Sequence, residues 1–151
     1  MSIKEVNPSN YGTHLLLLLS SIENGAQLDS PVGLCDFLSH LVTRIGMRVL
    51  DGPRAVTESG DQDKYGHSAV VILYESHAAV HTYVARRSLF LDVFSCKPFD
   101  DGEVLDACRQ LFGAFDVTER LVLNRGTHWN GPAEASVREW AGTRGDTKLG
   151  P

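Results

Sequence analysis

Residues 66–95 read GHSAVVILYESHAAVHTYVARRSLFLDVFS, and this stretch decides the fold. Ser68–Tyr74 is a short apolar run rich in β-branched side chains, the composition of a strand. His77–Tyr83 and Ser88–Ser95 follow as further strands, the latter with period-two alternation in LFLDVFS. Working outward, residues 11–20 (YGTHLLLLLS) form an apolar run bounded by Gly12 and the Ser20-Ser21 pair, which predicts a buried strand. Ser30-Pro31 has the form of an N-cap followed by proline at the first helical position. Leu34, Phe37, Leu38, Leu41, Val42 and Ile45 then recur at helical spacing, so an amphipathic helix ends near Gly46. Met47–Val56 predicts a strand interrupted at Asp51-Gly52-Pro53. Thr57–Tyr65 is polar and acidic and predicts a loop. Asp100 or Asp101 caps a second helix with an apolar stripe of Val104, Leu105, Cys108, Leu111 and Phe112. Residues 117–124 give a last strand. Residues 1–9 and the tail from Gly126 read as loosely ordered. Several strands with two well-separated helices predict an α+β sandwich in two layers, a mainly antiparallel sheet with both helices on one face.

Bulk properties exclude several function classes. The chain has 151 residues and a net charge of -5, with 42% hydrophobic and 22% charged residues, which suits one globular domain spanning 1–151. No basic cluster exceeds the pair Arg86-Arg87, which argues against a nucleic-acid partner. The apolar run Leu15–Leu19 is too short to span a bilayer and lacks the flanks of a signal peptide. The three cysteines, Cys35, Cys96 and Cys108, form no C-x-x-C motif and no even framework, so a reducing, cytoplasmic setting is expected. Cys35 and Cys108 fall on apolar helix faces and read as core. His77 and His81 stand four residues apart, but no third metal ligand is placed beside them, so no metal is expected.

The chemistry-bearing residues concentrate between Gly66 and Cys96: Ser68, Glu75-Ser76-His77, His81-Thr82 and Asp92-Val93-Phe94-Ser95-Cys96. Taken singly, each has an ordinary structural role open to it. Together, and with the opening Y-G-T-H-L, they resemble the bacterial S-adenosylmethionine decarboxylases, whose members carry a Ser, an apolar strand, E-S-H-x-x-x-H-T and D-x-F-(T/S)-C at the same spacings. The resemblance spans roughly residues 11–125. It implies autocleavage between Glu75 and Ser76 into a β chain of 1–75 and an α chain of 76–151, and a pyruvoyl cofactor derived from Ser76. The physical route is attack of the Ser76 hydroxyl on the Glu75 carbonyl, an ester, elimination across the Ser76 Cα–H, and hydrolysis to the ketone. That route needs a base and oxyanion donors, roles the resemblance gives to His81 and Ser68. The ketone takes a substrate α-amine as a Schiff base and accepts electrons as CO2 leaves. Cys96 is implied as the acid that returns a proton to carbon. Ser68 and Ser76 are eight residues apart, an even step that faces them the same way on an unbroken strand. His81, five residues past Ser76, then needs a turn or bulge to join them. A homodimer forming a larger four-layer assembly, with pockets near the interface, is also implied.

The substrate-reading residues depart from the family. Members that use S-adenosylmethionine have a Phe six residues before the serine matched by Ser68, and W-P-E after H-T. Here those positions hold Gln62 and Tyr83-Val84-Ala85. Tyr83 keeps a stacking face; Gln62 and Ala85 replace an aromatic and a ribose-binding carboxylate. Glu58, Asp61 and Asp63 have appeared in the same loop, where acids suit a cationic side chain. The favoured substrate is therefore a basic amino acid, L-arginine or L-ornithine, in polyamine biosynthesis. S-adenosylmethionine with a redrawn nucleoside pocket is the alternative. An inactive regulatory homologue is the second alternative, though none of the matched Ser, His or Cys residues is lost.

Overall fold

A computed structural model describes residues 11–127. The arm at residues 1–9 and the tail from 128 lie outside the described residues. The chain runs β1 (Gly12–Ser20), a short 3-10 helix (Gly25–Asp29), α1 (Pro31–Arg44), β2 (Val49–Glu58), β3 (Gly66–Leu73), β4 (Ser76–Tyr83), β5 (Ser88–Ser95), α2 (Asp101–Phe112) and β6 (Asp116–Arg125). The strands form one six-stranded sheet in the order β2-β3-β4-β5-β1-β6. Every pairing is antiparallel. This is the expected α+β sandwich. No helix among the described residues is long and apolar enough to cross a membrane.

Alternation sends one side of each central strand into the core. Leu15, Leu17 and Leu19 of β1, Ala69, Val71 and Leu73 of β3, Ala78 and Val80 of β4, and Leu89, Leu91 and Val93 of β5 are all buried. Both helices cover this face. Ser30 caps α1 by accepting the Gly33 N–H at 3.0 Å, with Pro31 in the first turn where its missing N–H costs nothing. Asp100 caps α2 by accepting the Gly102 N–H at 2.8 Å, and Gly113 ends it with φ 72°. Phe37 of α1 and Phe112 of α2 meet edge-on, ring centroids 5.3 Å apart, and lock the helix layer. Cys108 lies in this core, where burial pushes its thiol up to about 12 and leaves it inert; Cys35 is only half-buried.

No helix among the described residues covers the other face of the sheet. Val56, Val70, Ile72, Phe90, Leu121 and Leu123 share it by alternation, and each is exposed. Most boundaries fall within two residues of the sequence reading. β2 reaches Glu58, shortening the acidic loop, and its register shifts between Val49 and Arg54 around the expected Asp51-Gly52-Pro53 interruption. The separate strands expected before and after Glu75 are both present, so no unbroken strand carries Ser68 through to Ser76; β3 is the first of them. It stops at Leu73, and a two-residue turn at Tyr74-Glu75 reverses the chain.

The Phe37–Phe112 contact gives a stability test. Phe112→Ala should cost about 3–5 kcal/mol in urea unfolding, the usual cost of deleting a buried ring. A loss below about 1 kcal/mol would show that α2 does not pack as described.

Candidate active site

The Tyr74-Glu75 turn closes on the Leu73–Ser76 pair. Two-residue hairpins match the sheet's twist best when the turn residues take positive φ. Neither Tyr74 nor Glu75 does so; Ser76 carries φ 147° instead, a region that a side chain makes costly, on the order of 1–3 kcal/mol. The Glu75–Ser76 peptide therefore ends on a strained residue. Its carbonyl oxygen accepts the Cys96 N–H at 3.0 Å, because Ser95 pairs with Ser76 and Cys96 comes next. The Glu75 carboxylate is buried and accepts the Arg48 N–H at 3.1 Å and its Nε–H at 3.4 Å. Glu75, Ser76 and Cys96 are thus brought together.

Ser68 and His81 face each other across β3 and β4, Ser68 Oγ lying 2.7 Å from His81 Nδ1 on the open face. Behind them, on the helix side, Thr82 Oγ1 accepts the His67 N–H at 3.0 Å and donates to the Leu28 carbonyl at 2.8 Å. Buried His67 bridges Asp29 at 2.8 Å and Thr57 at 2.9 Å, and Tyr65 donates to Asp29 at 2.7 Å. Gly66 allows this close approach: a Cβ there would collide with the Thr82 carbonyl. The pair does not reach Ser76 of its own chain. The expected reorienting turn or bulge is absent, since β4 is regular from Ser76 to Tyr83. Five residues of strand span roughly 17 Å. The even step between Ser68 and Ser76 no longer places them together, for the chain turns between them.

Of the expected substrate residues, Asp61, Asp63 and Tyr83 line one cavity of about 460 Å³, together with Lys64, Arg86 and Phe90. Tyr83 and Phe90 form an edge-on aromatic wall, centroids 6.0 Å apart. Glu58 and Gln62 are not part of this lining; Glu58 accepts the Gly60 N–H at 2.7 Å and shapes the loop. Arg87 is committed elsewhere, donating to the Ile22 and Glu23 carbonyls at 2.8 and 2.5 Å.

A family model described as S-adenosylmethionine decarboxylase matches residues 13–126. The chain belongs to the S-adenosylmethionine decarboxylase family. Among solved structures, the adenosylmethionine decarboxylase from Aquifex aeolicus VF5 is similar in fold, with a TM-score of 0.62. The two are 20% identical over 78% of this chain and 92% of that one, a likeness that shows the fold alone.

As a member of the S-adenosylmethionine decarboxylase family the protein is a pyruvoyl-dependent decarboxylase of polyamine biosynthesis, and the family's pyruvoyl group forms from an internal serine. Ser76 fits that origin: it is strained, half-buried, and preceded by a carbonyl that already holds a hydrogen-bond donor. Beside it lies a group that sequence reasoning missed. Asp92 Oδ2 accepts from His14 Nε2 at 2.8 Å and from His77 Nε2 at 3.3 Å; the two imidazoles meet edge-on and Phe94 packs against both. Arg125 donates to His14 Nδ1 at 3.3 Å, which leaves the ring proton on Nε2 facing Asp92, and the ligand atoms of His14, His77 and Asp92 lie within 4.8 Å of one another. The alternation of β1, β4 and β5 was the available signal, for it puts His14, His77 and Asp92 on one face once the strand order is known.

Burial pushes the Glu75 carboxyl up, but hydrogen bonds from the Arg48 and Glu75 backbone N–H groups and from the Arg48 side chain outweigh it, holding the group below its ordinary value of 4.5. Hydrogen bonds from His67 and Tyr65 lower Asp29 in the same way. A carboxyl lowered on folding stabilises the fold fully above its unfolded value and loses that contribution as pH falls through the folded value. Urea midpoints should therefore drop on acidification below about pH 4.5, and Glu75→Gln should flatten part of that drop. An unchanged profile in Glu75→Gln would contradict the hydrogen-bonded carboxylate.

Proposed function

We propose that the chain cleaves itself between Glu75 and Ser76 and that its two halves of catalytic machinery meet across a homodimer. The observation that carries this is the separation of Ser68 and His81 from the Ser76 of their own chain along a regular strand. A second copy laid open face to open face, in an isologous contact with strands opposed, sets its His81 end over this Ser76 end. The exposed apolar side chains of that face supply the contact.

In this arrangement the Ser76 hydroxyl attacks the Glu75 carbonyl carbon. The Cys96 N–H, and Ser68 of the second copy, donate to the oxygen as it gains charge. The C–N bond breaks, the Ser76 nitrogen takes up a proton, and an ester remains. His81 of the second copy then removes the Ser76 α-proton. The ester C–O bond breaks, releasing Glu75 as a carboxylate and leaving a dehydroalanine. Water hydrolyses it to the keto group, and ammonia departs. The pyruvoyl group, once formed, supplies an electrophilic ketone and an electron sink for loss of CO2. The thiol of Cys96, the residue whose N–H holds the Glu75 carbonyl, then delivers a proton to the product carbon.

The favoured substrate is a basic amino acid, L-arginine or L-ornithine. Asp61 and Asp63 at the cavity support this reading, Asp63 the more directly, since Asp61 Oδ1 already accepts the Asp63 N–H at 3.0 Å. Lys64 and Arg86 in the same lining suit a carboxylate. A second reading keeps S-adenosylmethionine, and the Tyr83–Phe90 aromatic wall favours it as a stacking surface for a flat base.

Two experiments test these readings. His81→Ala and Ser76→Ala chains should each stay uncleaved alone. Co-expressed, the His81→Ala chain should cleave, because its Ser76 meets the His81 of the other. Cleavage of His81→Ala by itself, or none in the mixture, would reject the shared site. For the substrate, purified enzyme should release CO2 from L-arginine or L-ornithine and barely from S-adenosylmethionine. Asp63→Asn should lower kcat/KM by about 1.5–3 kcal/mol, the worth of a charge-assisted hydrogen bond. Efficient turnover of S-adenosylmethionine with neither amino acid used selects the second reading.

A further inference from the structure

We propose that Arg48 and the Glu75 side chain form a clamp that keeps the Glu75–Ser76 bond in its strained conformation; the proposal rests on the processing reading above. Arg48 immediately precedes β2 and grips both residues of the turn. The Tyr74 N–H donates to the Arg48 carbonyl at 3.0 Å. The Arg48 N–H donates to Glu75 Oε2 at 3.1 Å and its Nε–H to Oε1 at 3.4 Å. The guanidinium lies over the Tyr74 ring, 4.7 Å from its centre. From the opposite side, the Cys96 N–H holds the Glu75 carbonyl at 3.0 Å.

These bonds pin the turn on two sides. Ser76 can relax to negative φ only if the chain around the Glu75–Ser76 peptide rotates, and that motion pulls against the Cys96 hydrogen bond or the Glu75 carboxylate anchor. Strain of this kind persists only where the surroundings over-determine it, and Arg48 with Glu75 provides the surroundings on the β2 side. The weight is unequal. The Glu75 side chain is 9% exposed and the Arg48 side chain 73%, so the buried carboxylate and the Arg48 main chain carry most of the restraint. The guanidinium, largely in water, adds less. Cleavage also leaves a new α-carboxylate on Glu75 beside its side-chain carboxylate, and the Arg48 guanidinium is placed to offset that charge and retain the cut end.

Arg48 and Glu75 are positioning residues in this account, so the readout is the rate of self-cleavage in full-length, folded precursor, followed by intact mass after synthesis. Glu75→Ala should slow cleavage about tenfold or more, in line with the strain released. Glu75→Gln keeps an acceptor for the Arg48 N–H and should slow it about two- to fivefold. Arg48→Ala should slow cleavage by a similar small factor and Arg48→Lys should restore most of it, at urea midpoints close to wild type. Adding Arg48→Ala to Glu75→Ala should give less than the product of the two single effects, since both remove the same bond. Should Glu75→Ala fail to fold, Glu75→Gln and the Arg48 pair decide. A wild-type chain that never cleaves overturns the processing reading and this proposal with it. A wild type that cleaves beside Arg48 and Glu75 variants that cleave equally fast overturns the clamp alone.

Discussion

The account depends on one constraint: Ser76 stands at φ 147° where the sheet reverses between β3 and β4. A glycine-bearing hairpin of the same length would place positive φ within the turn at little cost. Here a side-chain-bearing residue takes it instead, directly after the Glu75 carbonyl. The pairing of β4 with β5 brings the Cys96 N–H onto that carbonyl. Register, turn and donor therefore converge on one peptide bond. Once a hydroxyl is the strained side chain, the same arrangement that stores strain also offers an internal nucleophile.

A second constraint follows from strand geometry. Ser68 and His81 are correctly paired with each other and wrongly placed for their own Ser76. Small β-rich chains with one bare sheet face must cover it, because an apolar surface of that extent is unfavourable in water. The dimer proposed above answers both demands with one contact. The His14–Asp92–His77 group then lies on the covered face next to the reacting end, with the His14 proton position set by Arg125.

Much of the fold was legible in the sequence because local signals agreed. Ser30-Pro31 and Asp100 mark helix starts that the structure caps as expected. The alternation in β5 and the apolar stripe of α1 marked which of their side chains are buried, while the unbroken Leu15–Leu19 run of β1 did not. The site was legible as a set of residues but not as an arrangement. The motif spacing named Ser68, Ser76, His81 and Cys96, and the strand pattern broke between Tyr74 and His77, yet Tyr74-Glu75 carries no Gly, Asn or Pro to announce so short a hairpin. Arg48, His14 and Arg125 come from distant segments, and only strand order brings them near. The acids at 58, 61 and 63 read alike in sequence. Their places in the loop distinguish them: Glu58 and Asp61 both accept a loop N–H, but only Asp61 and Asp63 line the cavity.

The central claim is that the Glu75–Ser76 bond is broken by the chain itself. Intact-mass analysis of purified wild-type protein tests it most directly. The account predicts two fragments, residues 1–75 with an ordinary carboxyl terminus and residues 76–151 beginning in a keto group that reacts with a carbonyl reagent. One uncut chain of 151 residues after prolonged incubation, with an unmodified serine at position 76, would contradict it.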